Sequence, residues 1–428
     1  MQLPYDFPRA SVQPLIRPWI PKWRLEDLAL WGGPPAFPEP LHVGRPNIPD
    51  RRRFFERLED ILDRRWLTNN GLYVQEFERK VAAMLGVKHC VAVCNATVGL
   101  QVAAQALGLE GEVILPSFTF VATAHALRWL GLTPVFCDIQ PDTLTLDPDR
   151  IEELITPRTS GIVGVHVYGS VCDVDRLEAL AAHHKLSLMY DAAHAFRCSR
   201  EGKMVGGNGQ AEVFSFHATK VLGTFEGGAV TTNDDEVDRK LRRAISFGLN
   251  REDEVVAIGT NAKMPEVSAA MGLTALESLD EWLAINRSNY AAYREKLEEI
   301  PGVSIIPFDG PESRNYQYVI IRVDEERAGL SRDTLVEALR AENVLARRYF
   351  HPPCHLMKPY RPSASGEPAT LPVTERVSSQ VAALPTGTAV GPSEIQQVCQ
   401  LIRLCVEHGR EIGERILLRN RVPALPTA

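Results

Sequence analysis

The 428-residue chain lacks the marks of several large functional classes. Its net charge of −7 leaves no excess of positive charge with which to hold nucleic acid broadly, so any anionic ligand must be met by local basic groups. Its eight cysteines, Cys90, Cys94, Cys137, Cys172, Cys198, Cys354, Cys399 and Cys405, include no C-x-x-C pair. No His/Cys cluster has zinc spacing, which speaks against a metal site and for reduced thiols. Residues 1–8 have neither the basic start nor the apolar core of a secretory leader. No apolar run is long enough to span a bilayer, and there are no internal repeats or low-complexity tracts. The expectation is a soluble cytoplasmic protein that binds neither nucleic acid nor membrane.

What is there suits a large buried core. Hydrophobic residues make up 45% of the chain, enough for two domains or one with an appendage. Residues 1–50 are rich in proline and carry Trp19, Trp23 and Trp31. They read as an extended arm whose tryptophans need burial on the body or on a second subunit. Residues 51–282 alternate helical and strand patterns. Helices are expected at 51–65, 74–85, from 95 through 106, and at 174–185. Apolar strands are expected at 91–93, 112–115, 134–138, 161–167 and 186–190. That alternation predicts an α/β fold with a mostly parallel central sheet between helices. A long helical pattern at 265–297 leads to a smaller α+β domain at 283–428, with strands at 303–307 and 316–323, helices at 331–342 and 393–408, and a proline-rich loop at 351–372.

Ligands of such sheets bind beyond the carboxyl ends of the strands, and the notable residues fall there. Lys220 closes an apolar run from 211 and precedes a glycine-rich segment with Gly223, Gly227 and Gly228. Asp191 ends the strand at 186–190. A lysine amine bound to the aldehyde of pyridoxal phosphate, with a carboxylate paired to the pyridinium nitrogen, needs that pair of groups. Asn95-Ala96-Thr97 opens a helix after a strand and offers backbone N–H groups and a hydroxyl to a phosphate, although Thr97 alone reads equally as a helix N-cap. Phe118 is placed to stack on a planar cofactor, with Phe120 the better core residue. His194 suits a hydrogen bond to the ring's phenolic oxygen, and Ser215 a phosphate oxygen. Each has a plainer reading: an exposed lysine for Lys220, a helix cap for Asp191, a satisfied semi-buried histidine, and a serine meeting a backbone group.

As an ordered set these segments resemble the DegT/DnrJ/EryC1/StrS family of pyridoxal-phosphate sugar aminotransferases. The similar stretches are LTNNGLYVQEFE (67–78), NATVGLQVA (95–103), PSFTFVATAHAL (116–127), VFCDIQPDTLTLD (135–147), VHVYGSVCDVD (165–175), DAAHAF (191–196), SFHATK (215–220), EGGAV (226–230) and GTNAKMPEVSAAMGL (259–273). The resemblance implies a fold-type-I transferase in which Lys220 is the catalytic, cofactor-bearing lysine. It implies that Asp191 partners the pyridinium and that His194, glutamine in many relatives, contacts the ring oxygen. Phe118 would be the stacking aromatic, and Ala96, Thr97 and Ser215 the phosphate contacts. Asn261 would reach the cofactor phosphate of a neighbouring subunit, which implies a homodimer, or a dimer of dimers, with shared sites. The run Arg347-Arg348-Tyr349-Phe350-His351 resembles a segment lining a nucleotide-sugar cleft, its arginines suited to a diphosphate or simply a solvated basic pair.

Two departures stand out: Ala96 replaces the family's usual glycine, and the arm before Leu41 is longer than in many relatives. GGPPAFPEPLHVGRPNI (32–48) together with GTNAKM (259–264) is similar to the branch that makes 4-amino-4,6-dideoxyhexose nucleotides. The implied reaction takes an amino group from L-glutamate, through pyridoxamine phosphate, to the keto carbon of a nucleotide-linked keto-deoxysugar, with dTDP-4-keto-6-deoxy-D-glucose as the expected acceptor. A 3-keto sugar, a cyclitol or an aminohydroxybenzoate precursor is the alternative within the family, and a non-catalytic sensor the alternative outside catalysis. Lys220 counts against a sister class that carries histidine at that position and removes a sugar hydroxyl.

Overall fold

The structure, a computed structural model, describes residues 19–250, 252–308, 312–361 and 369–421, so residues 1–18 of the predicted arm lie outside the described part. Seven strands form the central sheet: β1 (His89–Val93), β2 (Glu112–Pro116), β3 (Thr133–Cys137), β4 (Thr159–Val165), β5 (Ser187–Asp191), β6 (Ala211–Ser215) and β7 (Gly228–Thr232). Their order across the sheet is β1-β7-β6-β5-β4-β2-β3. Only β7 is reversed. It runs antiparallel to both β1 and β6, while the remaining neighbours pair in parallel. The carboxyl ends of the other six strands therefore share one edge of the sheet.

Side-chain alternation explains how the sheet is covered. Ile114, Ile162, Leu188 and Phe214 join one apolar cluster, whereas their neighbours Val113, Val163, Met189 and Val213 join another. Successive strand residues point to opposite faces, so both faces are buried under helices. The main helices of this part are α1 (Arg51–Arg64), α2 (Leu72–Leu85), α3 (Ala96–Ala106), α4 (Val121–Trp129), α5 (Val174–His184) and α6 (Asp235–Ala244). α1 starts where the Asp50 side chain accepts the Arg53 N–H at 3.1 Å, an N-cap that relieves one unpaired donor.

α7 (Glu266–Leu297) has 32 residues and is about 48 Å long at the usual helical rise. Its first turns, with Ala269 and Leu273, pack in the large-sheet core, and Tyr290, Tyr293 and Leu297 enter a third cluster around the C-terminal sheet. That sheet consists of β8 (Val303–Ile305), β9 (Val319–Val323) and β10 (Val381–Leu384), all antiparallel. α8 (Arg332–Ala341), α9 (Pro372–Gln380), α10 (Pro392–Glu407) and α11 (Gly409–Arg421) accompany it. The expected strand at 316–323 is shorter in the structure, because residues 315–318 serve the site described below rather than a ladder.

The described part of the arm packs on this chain's own C-terminal cluster. Leu25, Leu28, Ala36, Phe37, Leu41 and Val43 are buried in it, and residues Leu41–His42 pair in parallel with Val344–Leu345. Trp19 and Trp31 pack against the same cluster, while Trp23 is 69% exposed. A buried ion pair fixes the arrangement. Lys22 Nζ lies 3.5 Å from Glu342 Oε2, both side chains being 1% exposed, and Glu342 also accepts the backbone N–H groups of Ala29 at 2.6 Å and Ala36 at 2.7 Å. Removing one partner of such a pair leaves a charge with no solvent to meet it. Glu342→Ala is therefore expected to lower stability by about 3 kcal/mol in chemical denaturation and to release the arm to limited proteolysis; a change below about 1 kcal/mol with an intact arm would show that the clamp is idle.

Candidate active site

Several strand ends at the shared edge deliver a functional side chain or the loop that carries one. β5 ends in Asp191 and is followed by His194; β6 ends in Ser215 and leads through a turn to Lys220. β4 leads to His166 and Tyr168, and β2 to Ser117, Phe118 and Phe120. β1 leads through Asn95 into α3. Asp191 is 6% exposed and accepts the Thr123 hydroxyl at 2.8 Å and the Ala193 N–H at 3.0 Å. Burial raises its carboxyl above the ordinary aspartate value; the Thr123 and Ala193 hydrogen bonds and the Lys220 charge oppose that rise. Burial also lowers the Lys220 amine to about 8, with Asp191 and Tyr349 pulling the other way. The two groups are thus both withdrawn from water and sense each other's charge.

His194 is 8% exposed, and burial followed by the Lys220 charge holds it well below the usual histidine range. It is neutral. Its Nδ1 accepts the Tyr168 N–H at 3.1 Å, which places the ring proton on Nε2. Nε2 lies 3.2 Å from the Tyr318 hydroxyl, and the same hydroxyl lies 3.3 Å from Lys220 Nζ. Asn315 Nδ2 donates to the carbonyls of His194 at 2.8 Å and Phe196 at 3.0 Å, bracing the loop after β5 from the C-terminal part. Thr123, Tyr168 and Tyr318 were not singled out from sequence. Thr123 and Tyr168 lie inside matched motifs (116–127 and 165–175); Tyr318 reaches the site by long-range packing that leaves no local signal.

The start of α3 beside β7 has a specific local cause. Asn95 is the N-cap of α3, its side chain accepting the Val98 N–H at 3.0 Å, so Thr97 is inside the first turn and not the cap. Ala96 is the first helical residue and is not among the residues with positive φ, so the methyl group in place of glycine imposes no backbone strain. Gly228 pairs with Val93 on one side and Ser215 on the other. A Cβ there would stand 2.9 Å from the Ala96 nitrogen, so only glycine lets β7 pass beneath the helix start. Ser215 accepts the His217 N–H at 3.4 Å and remains half-buried at the same edge.

Other expectations are revised. Phe118 is 0% exposed, edge-on to Tyr168 and Phe350, and belongs to the core. Phe120, expected in the core, is 56% exposed and caps α4, whose Thr123 holds Asp191. Of the two rings, Phe120's is the exposed one, although it also lies 6.5 Å from that of Phe350. The run 347–349 is only partly gathered at the site. Tyr349 packs on Tyr318 and its carbonyl accepts the Tyr168 hydroxyl at 2.5 Å. Arg347 donates to the Tyr349 hydroxyl at 2.7 Å. Arg348 is held at 3.3 Å by Asp333 of α8. Asn261 is exposed and accepts from Lys263 Nζ at 2.7 Å. No group of three or more metal-ligating side chains occurs among the described residues, and among them no helix is long and apolar enough to cross a membrane.

A mostly parallel sheet thus delivers a buried lysine and an aspartate from neighbouring strands, beside a helix N-terminus. The chain belongs to the DegT/DnrJ/EryC1/StrS aminotransferase family, which it matches over residues 49–403. It is 40% identical over 365 residues to the dTDP-4-amino-4,6-dideoxy-D-glucose transaminase of Shigella dysenteriae, covering 85% of this chain and 99% of that one. The enzyme of the same name from Escherichia coli is 37% identical, with 85% and 98% covered. Among solved structures, DesI in the presence of its TDP-sugar product is 52% identical with a TM-score of 0.88, covering 93% of this chain and all of that one. The protein is an aminotransferase.

The depressed amine has a cost that can be measured. In an unfolded chain Lys220 would keep the ordinary lysine value near 10.5, so below about 8 the fold holds a charge in a place that disfavours it. The unfolded state binds more protons between those values, and the penalty shrinks as pH rises through that window. Lys220→Met in the cofactor-free protein is expected to raise Tm at neutral pH, with the gain fading as pH climbs past 8. A gain independent of pH, or none, would contradict the burial of this amine.

Proposed function

We propose that the protein uses pyridoxal 5′-phosphate to move an amino group from L-glutamate to the keto carbon of a nucleotide-linked keto-deoxysugar, dTDP-4-keto-6-deoxy-D-glucose. The observation that carries the chemistry is the burial of Lys220 and Asp191, delivered by neighbouring strands, within reach of each other's charge. The substrate class is supported by relatives whose names specify dTDP-4-amino-4,6-dideoxy-D-glucose and by the TDP-sugar product in the DesI structure. The residues fit the cofactor: a carboxylate for the ring nitrogen, an exposed aromatic ring at Phe120, and a helix start beneath which Gly228 leaves room for close approach. When bound, pyridoxal phosphate supplies a ring that stabilises negative charge on the carbon losing its proton.

The chain's own groups do the rest. Asp191, its charged form favoured against burial by the Thr123 hydroxyl and the Ala193 N–H, would hold a proton on the ring nitrogen. The N–H groups opening α3, with Thr97 and Ser215, would meet the phosphate. His194 presents its Nε2 proton towards the site, and Phe120 would cover one ring face. Lys220 would remove a proton from the donor's carbon and return one to the product. An amine near 8 is partly neutral at neutral pH, which suits it to both directions. Tyr168, Phe118 and Phe350 wall off water from this side.

The site is proposed to be completed by a second copy, through Asn261. Its segment carries Val255 at 72% and Ile258 at 82% exposure, and α1 and the residues after it expose Phe55, Leu62, Trp66 and Leu67. Exposed apolar residues of this kind support such an interface. The bound diphosphate would draw on Arg347, with Arg348 available once it leaves Asp333. Residence in the cytoplasm is part of the same proposal.

Lys220→Ala is expected to abolish transamination between glutamate and dTDP-4-keto-6-deoxyglucose, and borohydride should no longer fix cofactor to the chain. Measurable turnover by the purified variant would refute the assignment. The two phenylalanines separate by readout: Phe120→Ala should weaken cofactor binding in equilibrium dialysis about five- to ten-fold with stability retained. Phe118→Ala should instead cost about 3 kcal/mol of stability. The reverse pattern would restore Phe118 as the stacking residue.

A further inference from the structure

Tyr318 is absorbed by none of the roles assigned so far, yet its hydroxyl occupies a singular position. It lies 3.3 Å from Lys220 Nζ and 3.2 Å from His194 Nε2, on a residue only 7% exposed. Its ring contacts those of His194 at 4.5 Å between centroids, Tyr168 at 5.7 Å and Tyr349 at 6.2 Å. Packing on three sides leaves the hydroxyl little freedom to turn elsewhere.

The donors and acceptors in this chain can be assigned in order. Tyr168 sits at φ 57°, a left-handed conformation unusual for tyrosine, and from there its N–H donates to His194 Nδ1 at 3.1 Å. A ring nitrogen that accepts cannot carry a proton, so the proton is on Nε2 and is donated to the Tyr318 oxygen. Burial raises the Tyr318 phenol far above its ordinary value, so it keeps its own proton. As an ammonium, Lys220 Nζ donates to the Tyr318 oxygen; once deprotonated, it can take the Tyr318 proton instead. A neutral amine has one lone pair and accepts it; an ammonium has none. Each link also polarises the next.

We propose that Tyr318, oriented by His194, is a positioning residue that hydrogen-bonds the neutral Lys220 amine and keeps it poised to attack an aldehyde carbon. This rests on the reading of Lys220 as the cofactor-capturing amine. In that capture the amine nitrogen joins the aldehyde carbon, two protons leave with the aldehyde oxygen as one water, and nothing is oxidised or reduced. The Tyr318 bond is released as the lone pair turns to the carbon. The other groups facing the amine are Asp191 at the end of β5, His194 in the loop after it, and Tyr349 of the 347–351 run. Asp191 favours the ammonium form and works against Tyr318. The balance between one carboxylate and one hydroxyl thus sets how much of the amine is neutral.

The test uses the full chain freed of cofactor, with pyridoxal 5′-phosphate as the probe. Adduct formation at Lys220 is quenched with borohydride and quantified by mass spectrometry across pH. Titrations of the free probe are common to all variants and cancel. Tyr318→Phe keeps the buried ring and removes only the hydroxyl. The rate–pH midpoint is expected to rise by about 0.7 pH unit, with capture about five-fold slower at neutral pH and the alkaline plateau unchanged. His194→Phe, which removes the donor to Tyr318, should shift the midpoint in the same direction as Tyr318→Phe. An unmoved midpoint in Tyr318→Phe, or a lowered plateau without a shift, would overturn the proposal. Failure of the wild-type chain to form any Lys220 adduct would instead overturn the reading beneath it.

Discussion

One electrostatic opposition organises the molecule: an amine and a carboxylate, both withdrawn from water, set within reach of each other's field. Neither is stable there alone. Burial depresses the Lys220 amine and elevates the Asp191 carboxyl, and each is partly restored by the other. A low dielectric makes that coupling stronger than it would be at the surface. The fold's task is to hold the two charges apart in sequence and together in space without letting water between them.

The parallel sheet does this by geometry. β5 and β6 are neighbours, and residues following their carboxyl ends must emerge at one edge. The reversed strand β7 lies between β6 and β1 and, because Gly228 has no side chain, lets α3 begin almost on top of it. The C-terminal part supplies a wall: Asn315 grips the loop after β5, Tyr318 reaches the lysine, and the Tyr349 carbonyl ties down Tyr168. The arm, clamped by Lys22 and Glu342, packs into the cluster behind that wall. It also approaches the lysine loop directly, since Asn47 Nδ2 donates to the Val221 carbonyl at 3.3 Å. The arm and the loop that carries Lys220 are therefore joined by contiguous contacts.

Much of this was legible from sequence because it is local. Buried strands ending in Asp191 and leading to Lys220 announce themselves by apolar runs, and α3 by the residue types that start helices. What escaped depends on partners far along the chain. Phe118 and Phe120 are two residues apart on one loop and both meet Phe350, and composition cannot say which is buried and which stays exposed. β7 was read as a glycine-rich segment because its glycine, needed for clearance, obscures a strand. β10, with two alanines in four residues, has little strand propensity and is held by its pairing with β9. Tyr318 sits in an unremarkable strand-like run, and nothing within several residues hints that its hydroxyl meets a lysine 98 positions away.

The central claim is that Asp191 faces the nitrogen of a pyridine ring whose other end is held by Lys220. The most direct measurement is the ¹⁵N chemical shift of ring-labelled pyridoxal phosphate bound to the full-length protein, compared with Asp191→Asn. The account predicts a protonated ring nitrogen in the wild type across the neutral range and loss of that proton in the variant. A deprotonated nitrogen in the wild type, or an identical shift in both proteins, would contradict it.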